Sequence, residues 1–98
     1  MPGFDAARAT QITQGRNFDR EPSWTADGEL VYSSNMAGGS DLYLMDVRGG
    51  NPKQLTANSG TNGQPSASRD GRYIIFSSDR TGAPHIWRMD VMVEIRSN

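Results

Sequence analysis

The sequence lacks cysteine altogether, and it has no long hydrophobic run. Without cysteine there is no disulfide framework and no thiolate metal site, so the redox compartment stays open. The longest apolar runs, residues 42–45 and 73–76, are four residues each, whereas a membrane-spanning helix needs roughly 20. The first residues show no basic segment followed by an apolar stretch, so we expect no signal peptide and no membrane insertion.

A surplus of charge of either sign is also missing. Ten Lys and Arg stand against eleven Asp and Glu, which gives a formal net charge of -1. Proteins that bind nucleic acid through its phosphates, or that bind anionic membranes, need a basic surplus. We therefore expect no nucleic-acid partner. A chain of 98 residues with 35% hydrophobic residues can bury one small core.

What the sequence does have is an internal repeat. Four segments of the first half return in the second half, two after 43 residues and two after 44: residues 11–13 at 54–56, 22–28 at 65–71, 33–35 at 77–79, and 41–46 at 85–90. A period of about 43 residues is typical of four-stranded propeller blades, and it overlaps the periods of some helical repeats. The local pattern must therefore decide between them.

The local pattern is that of short β-strands. Runs of β-branched and aromatic residues alternate with Asp-Gly, Gly-Gly and Asn-Pro turns among eleven glycines and five prolines. The first repeat unit, residues 14–56, divides into four strands: 21–25, 29–34, 41–46 and 53–56. The second unit, residues 57–91, holds three strands between 64 and 90. We predict an all-β chain.

The middle strands of both units are apolar on both faces. Residues 42–45 and 73–76 do not alternate between apolar and polar side chains, as a strand with one face in water would. Continuous apolar strands fit sheets that are covered on both sides, as blades are by their neighbours in a propeller ring.

These segments resemble a known family. The sequence Pro-Ser-Trp-Thr-Ala-Asp-Gly at residues 22–28, Asp-Leu-Tyr-Leu-Met-Asp at 41–46 and Gly-Gly-Asn-Pro-Lys-Gln-Leu-Thr at 49–56 resembles the TolB-type, WD40-like β-propeller repeat. The resemblance covers about residues 11–91. It implies a blade fold with a binding or scaffolding role, and it favours an extracytoplasmic bacterial setting.

The second unit departs from the family pattern. Ala67 stands where the first unit has Trp24, and Arg88 stands where it has Leu44. After Asp90 the Gly-Gly turn and the fourth strand are missing, and residues 91–98 replace them.

The strand count predicts incomplete blades. An additional strand at residues 7–13 followed by four and three strands gives two blades, if the first strand completes the last blade. A typical propeller has 4 to 8 blades, so the expected partners are either the remaining blades of a larger propeller or further copies of this chain in a ring. Residues 91–95 could alternatively serve as a terminal strand.

Catalytic and metal-binding signals are weak. Ser77, Ser78, Asp79 and His85 could be arranged as nucleophile, acid and base, but a Ser-Ser-Asp sequence at a strand end more often caps a hairpin. His85, the single histidine, lies near the carboxylates of Asp79, Asp90 and Glu94 in a spacing that matches no metal-binding loop. We expect neither catalytic nor metal-ligating residues.

For four further groups of residues, a structural role is more typical than a functional one. We interpret one set of carboxylates as turn formers, with a cation-friendly channel as the alternative: Asp27, Asp46, Asp70 and Asp90. The aromatic residues Trp24, Tyr43 and Trp87 could form a stacking platform, but Tyr43 and Trp87 are more typical of inter-blade core. Four arginines are expected on a solvated face: Arg69, Arg72, Arg80 and Arg88. The Gly-Gly pairs are followed by no helix, so they do not indicate a phosphate or cofactor site.

Three functions remain open at this point. The first is a non-catalytic interaction or scaffold module that binds an unidentified protein. The second is an accessory propeller of a prolyl-oligopeptidase-like or tricorn-like hydrolase, although no Gly-x-Ser-x-Gly sequence is present. The third is a ring that binds a small ligand or a cation in a polar channel.

Overall fold

The structure, a computed structural model, describes residues 9–13, 15, 17–48 and 50–90. This part of the chain contains seven β-strands and no α-helix, and hence no helix that could cross a bilayer. The strands are β1 (Asp19–Trp24), β2 (Glu29–Ser34), β3 (Asp41–Asp46), β4 (Lys53–Gln54), β5 (Asn62–Ala67), β6 (Tyr73–Ser78) and β7 (His85–Asp90). The all-β prediction is confirmed.

The strands form two antiparallel sheets in the order in which they follow along the chain. The first sheet has the order β1-β2-β3-β4 and the second β5-β6-β7. We call them the first blade and the second blade. Sequential hairpins of this kind need only short turns, which the Gly-rich connections supply.

The Asp-Gly turns take the predicted form in both blades. Gly28 has φ = 81° and donates its N–H to the Thr25 carbonyl, and Gly71 has φ = 77° and donates to the Ser68 carbonyl. A positive φ is costly for residues with a Cβ, so glycine is required at these two positions. The repeated sequence therefore produces the same turn twice.

The predicted strand bounds hold in the centre of the first blade and shift at its edges. β2 and β3 match the prediction, whereas β1 begins two residues earlier, at Asp19, and β4 ends at Gln54 instead of 56. The pairing continues beyond β4 in another form, because Leu55 donates its N–H to the Leu42 carbonyl. The Leu42 N–H is in turn accepted by the Thr56 side chain, at 3.0 Å, which ends the regular ladder.

The two blades pack face to face around a shared core. Val31 and Leu42 of the first blade are fully buried against Ile74 and Phe76 of the second. Four partly buried side chains extend this contact: Leu44, Leu55, Trp87 and Met89. We call it the blade junction. It confirms the prediction that the apolar strands belong to stacked sheets.

Each blade has a second face that no other blade covers among the described residues. In the first blade this face is nevertheless covered: Tyr32, Tyr43 and Met45 are 2%, 3% and 5% exposed and form a second core cluster, against which Leu30 and Ile12 pack. The rings of Tyr32 and Tyr43 stack at 6.0 Å between centroids. In the second blade the open face carries Ile75 and Ile86, which are 36% and 74% exposed.

The N-terminal strand predicted at residues 7–13 is not seen as a strand. Residues 9–13 pair with none of the seven described strands, and residues 7 and 8 lie outside the described residues. The prediction that they complete another blade stays a prediction. The alternative terminal strand at residues 91–95 also lies outside the described residues, as do the other residues after Asp90 that replace the fourth strand.

Candidate functional site

The inner strands of the two blades, β1 and β5, enclose a polar cleft of about 400 Å³. We call it the inner cleft. Its lining comes from both blades: Phe18, Arg20, Glu21, Ser33, Ser34, Asn35, Ser40, Thr61, Asn62, Gly63, Gln64 and Ser77. Eleven of these twelve residues are polar, charged or glycine, so the cleft presents hydrogen-bonding groups beside the one aromatic ring, Phe18.

A β-bulge in each inner strand shapes the cleft. The register shifts between Arg20 and Ser23 in β1, and between Gly63 and Ser66 in β5. The residue inside each bulge has a left-handed backbone, Glu21 with φ = 58° and Gln64 with φ = 51°. Such a backbone is rare for residues with a side chain and occurs where the surroundings enforce it. The bulges turn these two side chains out of the regular alternation.

The Glu21 carboxylate joins the two blades at the bottom of the cleft. Its Oε1 accepts the Gln64 backbone N–H at 2.7 Å and the Ser33 hydroxyl at 3.2 Å. A Cβ on Gly63 would lie 2.8 Å from the same oxygen. Glycine at position 63 therefore leaves room for the Glu21 carboxylate, and no sequence motif predicts this contact.

A second polar network lies at the end of the blade junction. Asp41 and Thr56 are 6% exposed and Asn62 is fully buried. Asp41 Oδ1 accepts the Thr56 hydroxyl at 2.9 Å and the Asn62 amide at 3.2 Å. The network satisfies polar groups that would be costly to bury alone, and it fixes the register of one blade against the other.

Arg80 closes this network from the second blade. Its Nη2 donates to Asn62 Oδ1 at 3.2 Å and its Nε to the Ser78 hydroxyl at 3.0 Å. The guanidinium also lies over the rings of Phe76 and Trp87, at 5.2 and 4.9 Å from the ring centroids. Arg80 is exposed, as expected, and it also has a structural role in this network.

The other arginines of the cluster are exposed, and two of them cover Tyr73. Arg72 and Arg88 lie 5.8 and 4.7 Å from its ring centroid. Arg69 lies at the exposed β5–β6 turn. The cluster is spread along the second blade and forms no single basic patch.

The residues weighed as a catalytic group are engaged in turns. Ser78 is fully buried and its hydroxyl donates to the Ser59 carbonyl at 3.3 Å, while Asp79 Oδ1 accepts the Thr61 N–H at 2.7 Å. His85 lies opposite Ser78 on β7 and is exposed. Ser77 lines the inner cleft. Hairpin capping accounts for Ser78 and Asp79, as their sequence indicates.

The repeated aspartates behave as turn formers. Asp70 Oδ1 accepts the Ser68 hydroxyl at 2.8 Å and the Arg72 N–H at 3.1 Å, and these bonds lower the pKa of Asp70 below its usual range. Asp46 Oδ1 accepts the Arg48 N–H at 2.8 Å. Asp27 and Asp90 are exposed at strand ends. The described residues contain no cluster of three or more His, Asp or Glu that could hold a metal ion.

The aromatic side chains do not form one platform. Tyr43 is 3% exposed in the second core cluster, and Trp87 packs on the blade junction. Trp87 fits the inter-blade interpretation, whereas the apolar neighbours of Tyr43 are Ile12 and residues of the first blade. Trp24 is 63% exposed at the far end of β1. An aromatic residue that sequence reasoning missed, Phe18, lines the inner cleft and is 67% exposed.

Comparison with known proteins agrees with this architecture. A family model described as the TolB beta propeller domain matches residues 6–95. An uncharacterized protein of Agrobacterium fabrum is 41% identical over 69 residues, which are 69% of this chain and 24% of that protein. The Tol-Pal system protein TolB of Desulfotalea psychrophila is 34% identical over 85 residues, which are 85% of this chain and 19% of that protein.

Two solved structures share the fold. A protein of Agrobacterium tumefaciens assigned as a TolB has a TM-score of 0.70 at 34% identity, over 88% of this chain and 30% of that one. TolB of Acinetobacter baumannii has a TM-score of 0.65 at 33% identity, over 74% of this chain and 18% of that one. The chain thus spans less than a third of the length of these relatives, and its two sheets correspond to part of their propellers.

Proposed function

The chain belongs to the TolB β-propeller domain family, and from this we propose that it is a non-catalytic interaction module that binds a protein through the inner cleft. The family membership rests on a match over residues 6–95. The same membership favours an extracytoplasmic setting as part of the proposal. The relatives are much longer, so the activity of any whole protein is not carried over to this chain.

The observation that carries the proposal is the exposed Phe18 at the rim of a polar cleft. Phe18 is 67% exposed and lines the inner cleft beside Arg20 and Asn35. Protein interfaces combine an aromatic anchor with a surrounding rim of hydrogen-bonding groups. The Phe18 N–H is held by Asn35 Oδ1 at 2.8 Å, so the backbone beneath the ring is fixed. A fixed backbone lowers the entropy that this segment loses on binding.

The cleft presents hydrogen-bonding groups that can recognise a partner, and the arrangement of its side chains does not favour catalysis. The Ser33 hydroxyl donates to the Glu21 carboxylate at 3.2 Å, but Ser33 is only 2% exposed and the same carboxylate oxygen also accepts the Gln64 N–H at 2.7 Å. A nucleophile must be open to its substrate as well as close to a base, so this pair is better suited to a structural role. The polar side chains of the cleft are instead suited to bind the main chain or side chains of a peptide.

The test is a photo-activatable amino acid placed at Phe18 in cells that produce the protein. We expect a discrete adduct with a different protein, identified by mass spectrometry, and no such adduct from the same label at Arg69, which is exposed at the opposite end of the second blade. Phe18→Ala should then weaken binding of the identified protein at least tenfold, because an anchor residue carries that share of the energy. Equal labelling from positions 18 and 69, or none from 18, would refute the proposal.

A small polar ligand is the second candidate for the inner cleft. The volume of about 400 Å³ lies in the range of small-molecule sites, and the carboxylate of Glu21 lies inside. A ligand that binds the native state raises the melting temperature in proportion to the logarithm of its concentration. A panel of glycans, amino acids and divalent cations that leaves the melting temperature unchanged, while the cross-link at position 18 forms, would favour the protein-binding role.

A further inference from the structure

The sequence contains one Asn-Gly pair, Asn62-Gly63, and it lies at the start of β5. Asparagine is a chemically labile residue. It is most labile before glycine, because glycine has no Cβ to keep its backbone nitrogen away from the preceding side chain. That nitrogen can attack the carbon of the asparagine amide. In the folded chain three features oppose this attack, and each depends on the contact between the two blades.

The first feature is the hydrogen bonding of the Asn62 side chain, which engages both of its polar atoms. Nδ2 donates to Asp41 Oδ1 and to the Gly60 carbonyl, both at 3.2 Å. Oδ1 accepts from Arg80 Nη2 at 3.2 Å. The amide carbon lies between these two atoms, so it cannot rotate towards the Gly63 nitrogen while the bonds hold.

The second feature is the placement of the attacking nitrogen in the sheet. Asn62 donates its own backbone N–H to the Ser40 carbonyl of the first blade, at 2.9 Å. Successive N–H groups of a strand point to opposite sides, so the N–H of Gly63 points towards β6, where Ser77 lies opposite Gly63. A nitrogen that donates within a ladder is not free to lose its proton and attack.

The third feature is the exclusion of water. Asn62 is 0% exposed and lies beside Asp41 and Thr56, which are 6% exposed. The ring that the attack forms must be opened by water, and the proton of the Gly63 nitrogen must pass to a base from the solvent. Neither reaches the amide while the blade junction is closed.

We propose that Asn62 is a site of spontaneous deamidation, closed while the blades are in contact and reactive when they separate. The Gly63 nitrogen loses its proton and bonds to the amide carbon of Asn62, and the side-chain nitrogen leaves as ammonia. Water then opens the five-membered imide at one of its two carbonyl carbons. The product is an aspartate, or an isoaspartate in which the side-chain carbons have become part of the backbone.

The product cannot rebuild the contacts that protected the asparagine. Nδ2 of Asn62 faces four oxygen atoms: Asp41 Oδ1, the Ser59 hydroxyl, and the carbonyls of Ser40 and Gly60. A carboxylate has no proton to donate to them, and it repels Asp41. Arg80 can still pair with the new charge, but Arg80 is exposed, and solvent weakens such a pair. An isoaspartate also adds one carbon to the backbone of β5.

Deamidation therefore makes a transient opening of the blade junction permanent. Parts of a fold open at free energies below that of global unfolding. When opening and closing are fast compared with the reaction, the rate is that of the open chain multiplied by the fraction of molecules that are open. The modified fraction thus increases with the time that the two blades have spent apart.

The test compares residues 62 and 58 of the parent chain, in buffer and in guanidinium chloride, at the same mildly alkaline pH. Asn58 is exposed and precedes Ser59, so it serves as the internal control. In the denaturant we expect Asn62 to react faster than Asn58, because glycine follows it. In buffer Asn62 should react at least tenfold more slowly than in the denaturant, and Asn58 should slow by a smaller factor. Peptide mass spectrometry with separation of the aspartate and isoaspartate forms measures both rates.

Two variants of Thr56 test the dependence on the blade junction. Thr56→Ala removes the hydroxyl that donates to Asp41 and leaves the Asn-Gly pair intact, so deamidation of Asn62 in buffer should become at least threefold faster. Thr56→Ser keeps the hydroxyl and should stay within about twofold of the parent rate. An Asn62 rate in buffer less than tenfold below that in the denaturant would overturn the proposal. Equal acceleration by the two variants would also overturn it.

Discussion

At the scale of single residues, the bulge residue Glu21 does the most to define the inner cleft. It lies in a strained left-handed conformation, and its carboxylate accepts hydrogen bonds from both blades. The left-handed backbone of Glu21 costs free energy, and its hydrogen bonds to both blades offset that cost. Gln64, the repeat equivalent of Glu21 in β5, has the same left-handed backbone. The Pro-Ser segment is visibly repeated in the sequence, but nothing in the sequence indicates that the side chain before it, Glu21, bonds to the other blade.

Glu21→Ala should destabilise the protein by about 1 kcal/mol, because the Gln64 N–H loses its acceptor while remaining near solvent. Glu21→Gly removes the same acceptor and also relieves the left-handed backbone, so it should cost less than Glu21→Ala. Urea denaturation measures both. A larger loss for glycine than for alanine would contradict the assigned conformation.

Asn62 is the residue whose replacement should give a pH-dependent effect. Asn62→Asp would bury a second carboxylate beside Asp41, and burial and repulsion would raise the folded-state pKa of the pair above its unfolded value. The Arg80 guanidinium, 3.2 Å from position 62, opposes this shift, but it is exposed and a single cation offsets only one of the two carboxylates. The unfolded state then binds fewer protons than the folded state at intermediate pH, so stability falls as pH rises through the raised pKa. Thermal melts of the variant should improve on going from about pH 8 to about pH 5 relative to the parent chain. A pH-independent difference would count against direct contact of residues 41 and 62.

At the scale of elements, the end of the first blade depends on one threonine. Thr56 donates to Asp41 and accepts the Leu42 N–H, where a regular strand would use its backbone. Thr56→Ala should therefore cost about 1 to 3 kcal/mol, since it leaves buried partners unbonded. Thr56→Ser keeps the hydroxyl and should recover most of the loss. If serine were no better than alanine in chemical denaturation, the methyl group and not the hydrogen bonds would be responsible.

The Asp-Gly turns permit a matched comparison of two glycines. A Cβ would meet nothing within 4 Å at Gly28 or at Gly39, but only Gly28 has a positive φ, of 81°. Gly28→Ala should lower stability by roughly 1 kcal/mol from backbone strain alone. Gly39→Ala should be close to neutral. Melting temperatures of the two variants give the answer, and equal losses would contradict the assigned turn.

The strands also show how much of the fold could be predicted from the sequence. The bounds of β2 and β3 could be predicted because their apolar runs end sharply at Asp27-Gly28 and at the glycine-rich loops. The end of β4 could not be predicted, because the last pairing with β3 uses the Thr56 hydroxyl in place of a backbone carbonyl. The polar network of Asp41, Asn62 and Arg80 could not be predicted either, since its members come from different strands and each looks like a loop residue by itself.

At the scale of the whole molecule, the repeat accounts for the sparse hydrophobic content. With 35% hydrophobic residues the chain fills two small core clusters, one at the blade junction and one on the other side of the first blade, while Ile75 and Ile86 of the second blade stay exposed. The prediction of stacked blades is confirmed by the fold and by the family.

Removal of residues 1–13 should separate folding from assembly. In the ring of copies that the strand count predicts, residues 11–13 lie beside β7 of the next copy, where the described residues of the second blade include no fourth strand, so the deletion should lower the association constant at least tenfold. Ile12 also covers part of the open face of the first blade, so a modest loss of stability is expected too. Light scattering of the deletion variant checks the mass. Unchanged assembly after the deletion would show that another edge makes the contact.

The most direct test of assembly between copies is amide hydrogen exchange at Ile86 as a function of protein concentration. Leu42 donates its N–H towards the Thr56 side chain, so the equivalent N–H of Ile86 faces the edge of β7 that no described strand covers, while the next N–H, of Trp87, faces β6. A ring of copies predicts that the Ile86 amide becomes protected as concentration rises and that the Trp87 amide is protected throughout. Fast exchange of the Ile86 amide at every concentration, with a protected Trp87 amide, would contradict the ring.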